Sequence, residues 1–139
     1  MAGCLQPDGL PAAGGAYALL IRLDRPLVLD IGAFAGAVLR RGLYAYCGSA
    51  YGPGGLRARV ARHMRPGKTP HWHVDCLTAA GMVEDCAIRV GGRECDLVDD
   101  LAASGGRIVL PGFGSSDCRR CAAHLLAVTD GEALAVLGR

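Results

Sequence analysis

Aromatic side chains are scarce in this 139-residue chain: they make up 5% of it, with a single Trp, Trp72, and two Phe. The hydrophobic share is nonetheless 51%, carried by small aliphatics, and glycine fills 21 further positions. A chain this apolar is no disordered tail. Its length is that of one domain, able to bury roughly two thirds of its unfolded surface without staples. Long hydrophobic runs are missing as well. The longest early run, Ala16 to Ile21, is cut by Arg22, far short of the ~18 residues of a spanning helix, and no basic stretch precedes it. Neither a membrane span nor a secretory signal peptide is expected. An even cysteine count is also lacking. The seven cysteines (Cys4, Cys47, Cys76, Cys86, Cys95, Cys118 and Cys121) cannot all pair within the chain. Several sit in apolar or helix-like segments, where a free thiol packs as a small hydrophobe, so a reducing cytoplasm is the expected location.

Acidic residues are absent from Ile31 to Val74, a stretch that holds seven bases: Arg40, Arg41, Arg57, Arg59, Arg62, Arg65 and Lys68. From Asp75 to Ser104 seven acids face only Arg89 and Arg93. The formal net charge of +2 hides this segregation. A basic block beside an acidic one suits a polyanion-binding surface with a metal site alongside. On charge alone, two ordinary solvated faces fit equally well.

Residues 1–14, rich in Gly, Pro and Ala, read as a loose tail ahead of a single domain over 15–139. Ala16–Leu23 has strand length, Asp24-Arg25-Pro26 is turn chemistry, and Leu27–Ile31 is a second apolar run, together a predicted β-hairpin. Leu43–Cys47 reads as a third strand, and Gly52-Pro53-Gly54-Gly55 delivers the chain into a helix from Leu56 to about Arg65. On that helix Leu56, Val60 and Met64 make one narrow apolar stripe, with Arg59 and His63 stacked on its shoulder. A short helix over 71–79, a strand over Met82–Val90 and a helix over Arg93–Ala103 follow. On the last of these Leu97, Val98 and Leu101 mark the core face, and Glu94 is the one acid that falls on it. Arg107–Leu110 and His124–Val128 are strand-like, and a final helix starts near Asp130, a candidate N-cap. Short strands mixed with short helices in this order give an α+β fold: a small antiparallel sheet flanked by helices.

Two tyrosines stand beside glycines, in Gly15-Ala16-Tyr17 and Tyr46-Cys47-Gly48. On strands of one sheet, glycine leaves the neighbouring phenol uncovered, and a buried phenol finds a partner, here Arg59 or His63. A nearby cation would favour phenolate and lower the phenol pKa. The plain alternative is a pair of strand aromatics that pack the sheet.

The ordered set of motifs resembles the GIY-YIG nuclease superfamily, and within it the Uri-type branch. The residues that carry this likeness, over about 15–128, are Gly15-Ala16-Tyr17, Gly42-Leu43-Tyr44-Ala45-Tyr46-Cys47-Gly48-Ser49-Ala50, Arg59-Val60-Ala61-Arg62-His63 and His71-Trp72-His73-Val74-Asp75. Glu94-Cys95 and the stretch from Phe113 through Asp117-Cys118 and Cys121 to His124-Leu125 extend it. Ala16 and Cys47 depart from the aliphatics common at those positions, but both should point away from the site.

The resemblance implies a phosphodiesterase that cuts DNA with one divalent metal, Mg²⁺ or Mn²⁺. Tyr17, Tyr46, Arg59, His63 and Glu94 are the implied catalytic set, with Glu94 the metal ligand and Asp75 in reserve. Gly48, Ser49, Arg57, Arg62, Arg65, Lys68, His71 and His73 are the implied nucleic-acid contacts. The chemistry is consistent: a planar guanidinium can grip two phosphate oxygens, and Mg²⁺ keeps several waters beside one carboxylate. A module of the same fold that binds nucleic acid without cutting it is the alternative. Cys118-x-x-Cys121-x-x-His124 offers three donors where structural zinc takes four, so a structural zinc is not expected. The Gly52–Gly55 loop lacks the Gly-Lys-Ser/Thr ending of a phosphate-binding P-loop.

Overall fold

A computed structural model of the chain describes residues 9–30, 32–65, 74–113 and 123–137. The fold is α+β. Strand β1 (Gly15–Leu23) runs through the middle of a five-stranded antiparallel sheet, paired on one side with β4 (Gly42–Ser49) and on the other with β5 (Met82–Val90). Beyond β4 lie β7 (Leu125–Val128) and β6 (Arg107–Ile108). Two-residue strands β2 (Leu27–Val28) and β3 (Val38–Leu39) form a separate ribbon.

This pairing corrects the predicted hairpin between β1 and the run at Leu27. Eight of the nine β1 residues are buried, so both of its edges and both of its faces need cover along their length. A two-residue strand cannot complete such a ladder; β4 and β5, of eight and nine residues, can.

Alternation along β1 and β4 divides the core in two. On one face Tyr17, Leu19, Ile21 and Leu23 join Tyr44 and Tyr46 beneath Leu56 and Val60 of α1 (Gly55–Met64) and Leu77 of α2 (Asp75–Ala80). On the other face Ala16, Ala18, Leu20, Ala45 and Cys47 meet Leu97, Val98 and Leu101 of α3 (Glu94–Ala103) and Ala133 of α4 (Asp130–Leu137). Ala16 and Cys47 therefore do point away from the two phenols. The small residues of β1 and β4 let α3 sit close to the sheet.

Backbone carbonyls cap the start of α1, and side chains cap the start of α4. Gly54 and Gly55 take φ of 82° and 58°, and a Cβ on Gly55 would meet the Ala12 and Ala13 carbonyl oxygens at 2.4 Å. That close approach lets the Ala13 and Pro11 carbonyls accept from the Leu56 and Arg57 amides at 2.9 and 3.1 Å, satisfying donors left over at the start of α1. The end of the segment read as a tail thus holds α1 in place; residues 1–8 lie outside the described residues. At α4 the cap is Thr129, one residue before the predicted Asp130. Its Oγ1 accepts from the Glu132 amide, and the Glu132 carboxylate accepts from the Thr129 amide, a capping box. Among the described residues no helix is long and apolar enough to cross a membrane.

Candidate functional site

The β1–β4 register sets Tyr17 directly opposite Gly48. A Cβ at Gly48 would lie 2.5 Å from the Tyr17 oxygen, so only glycine leaves room for this phenol where it stands. Helix α1 crosses above. His63, one turn after Arg59 on the shoulder of the apolar stripe, is turned inward, and its Nε2 lies 2.7 Å from the Tyr17 hydroxyl. Both residues are 2% exposed or less. The imidazole also meets Tyr46, whose ring stands edge-on to it with centroids 6.2 Å apart. Arg59 Nη1 donates to the Ser49 carbonyl at 3.1 Å, which lashes the guanidinium to the end of β4 beside the phenols. Tyr17, Tyr46, Gly48, Ser49, Arg59 and His63, far apart in the chain, are thus brought together.

The electrostatics overturn one expectation. Burial pushes the Tyr17 phenol well above its ordinary value, and the neighbouring Tyr46 adds to the rise; Arg59, in hydrogen-bonding reach, only partly opposes it. Tyr46 is pushed up to about 12, by burial first and then by its acidic neighbours, Cys47, Asp75 and Glu94, against the pull of Arg59. In this dry pocket desolvation outweighs the cation, so both phenols are protonated at neutral pH.

Glu94 opens α3, on the helix that covers the other sheet face, and is half-buried. Its charge is still felt at Tyr46. Its nearest donor company is different from anything the spacing suggested. Among the described residues, a carboxylate oxygen of Glu94, the thiol of Cys95 and a ring nitrogen of His124 all lie within 4.8 Å of one another. The His124 backbone is fixed on both sides, its carbonyl accepting from the Cys47 amide and its amide donating to the Phe113 carbonyl, each at 2.9 Å. Cys95 was not among the predicted site residues; its position next to Glu94 was the available signal.

Asp75, the reserve metal ligand, is 2% exposed and accepts from Arg62 through both oxygens, at 3.0 and 3.1 Å. Arg62, one of the expected nucleic-acid contacts, thus joins α1 to α2. Arg57 on α1 and Arg65 just past its end are exposed, with Arg57 Nε donating to the Leu10 carbonyl at 2.8 Å. Lys68, His71, His73, Cys118 and Cys121 lie outside the described residues.

Residues 16–137 match a family described as domain of unknown function DUF123. The chain belongs to the DUF123 family. That match takes in β1 from Ala16 onward, both core faces and every candidate site residue of this DUF123 domain. No curated protein and no solved structure matches the chain.

Proposed function

We propose that this DUF123 domain is a divalent-metal-dependent endonuclease of the GIY-YIG kind, close to its Uri-type branch, which hydrolyses phosphodiester bonds in DNA in the cytoplasm. The observation that carries the reading is the buried Tyr17–His63 hydrogen bond set against Gly48, with Arg59 beside it. Packing alone would not require a phenol and an imidazole joined at 2.7 Å in a dry core.

A neutral phenol is a poor base by itself, and His63 supplies what it lacks. Tyr17 donates its proton to His63 Nε2 as its oxygen accepts one from the attacking water, so the negative charge never rests on a buried phenolate. The hydroxide equivalent adds to phosphorus, the bond to the leaving oxygen breaks, that oxygen takes a proton from a solvent water, and the proton held by His63 passes to solvent at the end of the cycle, which restores the balance. Arg59, already fixed by Ser49, presents its remaining N–H groups to the non-bridging oxygens. Glu94 fits a cation: it is a half-buried carboxylate with no ion pair among the described residues, in the field of Tyr46. A divalent ion held there would stabilise charge on the phosphate and on the leaving oxygen. Arg57, Arg65, Lys68, His71 and His73 are proposed to hold the DNA backbone. Free thiols at Cys47, Cys76, Cys86 and Cys95 suit a reducing compartment.

Incubating the purified protein with nicked, branched and duplex DNA, with and without Mg²⁺ or Mn²⁺, tests this directly. Tyr17→Phe keeps the ring and loses the proton path, so cleavage of the folded protein should fall about 10²- to 10⁴-fold, alongside a stability loss of about 1–3 kcal/mol from the hydrogen bond taken from His63. Arg59→Ala should cost roughly 10²- to 10³-fold. Wild-type rates in both variants would overturn the assignment. Salt-sensitive DNA binding without cleavage under any metal would instead establish the non-catalytic module.

A further inference from the structure

We infer that Glu94, Cys95 and His124 form a binding site for a borderline divalent transition-metal ion of the zinc class. Their three donor atoms, one oxygen, one sulfur and one nitrogen, lie within 4.8 Å of each other. Donors in a tetrahedral zinc shell stand about 3.3–3.8 Å apart, given bond lengths of about 2.0–2.3 Å. A contraction of about 1 Å, within the reach of side-chain rotation, would close the shell.

A second observation comes from His124. The residue is 5% exposed, and its Nε2 has no hydrogen-bond partner among the described residues. An imidazole nitrogen taken out of water without a partner costs about 1–3 kcal/mol, which is an odd expense at a position whose neighbours Leu125 and Leu126 are plain hydrocarbon. An ion bound at Nε2 would remove that cost. Cys95, in the first turn of α3, is buried at 8% exposure, away from competing solvent.

The chemistry of the set selects the ion. Thiolate and imidazole bind zinc-like ions far better than Mg²⁺, which prefers oxygen and keeps its waters. Three protein ligands leave the remaining position of a tetrahedral ion to water or to an exchangeable anion. The site shares Glu94 with the metal position of the nuclease reading but does not depend on it.

The test uses metal alone. Zn²⁺ and Co²⁺ are titrated into the reduced, metal-stripped full-length protein, and Zn²⁺ binding is followed by calorimetry and Co²⁺ binding by absorption. One ion per chain is expected, with a thiolate-to-cobalt charge-transfer band and a Zn²⁺ affinity untouched by a large excess of Mg²⁺. Cys95→Ser should abolish the band, and Glu94→Gln and His124→Gln should each weaken Zn²⁺ at least tenfold. Glu94 is half-buried and its amide is isosteric, so that variant folds and decides the matter even if His124→Gln does not. A band that survives in Cys95→Ser, an unchanged affinity in Glu94→Gln, or displacement by Mg²⁺ would overturn the site. DNA is absent from every arm, so failure here leaves the cleavage assay untouched, and a zinc-binding protein that never cuts DNA would sink only the other reading.

Discussion

The environment of the two phenols decides what the site can do with a proton. Tyr46 is held at about 12 against an ordinary value of 10.0 because the folded pocket cannot solvate its anion. Below pH 10 the phenol is neutral in both states and this group leaves stability unchanged. Between 10 and 12 the unfolded chain releases the proton and the folded chain does not, so stability falls as pH rises. Two units correspond to about 2.7 kcal/mol. Tyr46→Phe should remove that much of the alkaline loss, measured as the difference between wild-type and variant urea unfolding curves from pH 9 to 12. Equal pH slopes for the two proteins would show that Tyr46 is solvated. The pairing of phenols with glycines was legible from Gly15-Ala16-Tyr17 and Tyr46-Cys47-Gly48, because strand alternation and a missing side chain are local properties. The sign of the pKa shift was not. It depends on how much water Leu56, Val60 and His63 exclude from above, and that is settled by tertiary packing.

Among the elements, α1 carries most of the candidate site, and its orientation depends on α2. Arg62 on α1 and Asp75 at the start of α2 form a two-pronged pair, the carboxylate almost wholly buried and the guanidinium about one-fifth exposed. Removing the cation leaves an anion in the core. Arg62→Ala should therefore cost about 3–5 kcal/mol of folding stability, well beyond a surface arginine. Arg57→Ala, on the exposed side of the same helix, should stay within about 0.5 kcal/mol. Chemical denaturation of both variants checks this, and a similar small loss in each would show the pair to be incidental. The stripe of Leu56, Val60 and Met64 made α1 readable to within a residue, since helical period needs no partner. The neighbours of β1 were not readable in the same way. Strand pairing joins segments such as Gly15–Leu23 and Met82–Val90 across long stretches of chain, and β2 follows β1 in sequence without touching its ladder. His124 shows the same limit: the β4–β7 pairing carries it to Glu94 and Cys95, a meeting that no spacing along the chain reveals.

At the scale of the molecule, the charge blocks seen along the chain become two opposed faces. The basic stretch supplies α1, on the Tyr17 side of the sheet, and the acidic stretch supplies α3, on the Ala16 side, where Asp96, Asp99 and Asp100 are exposed. Under the proposed function, a polyanion would be drawn to the first face and repelled by the second, and a duplex would meet the molecule with its backbone toward the phenols. Arg59 and Arg62 are turned into the fold, whereas Arg57 on α1 and Arg65 just past its end are exposed to solvent. Each phosphate neutralised releases condensed counterions and adds about 0.9 to the slope of log affinity against log salt. Arg57→Ala with Arg65→Ala should lower that slope by about 2, and by the same amount for unrelated DNA sequences, because neither residue would read bases. Fluorescence anisotropy across a salt series measures it. An unaltered slope would place the nucleic acid on another surface, and loss of binding to one sequence alone would mean that α1 reads bases instead of holding the backbone.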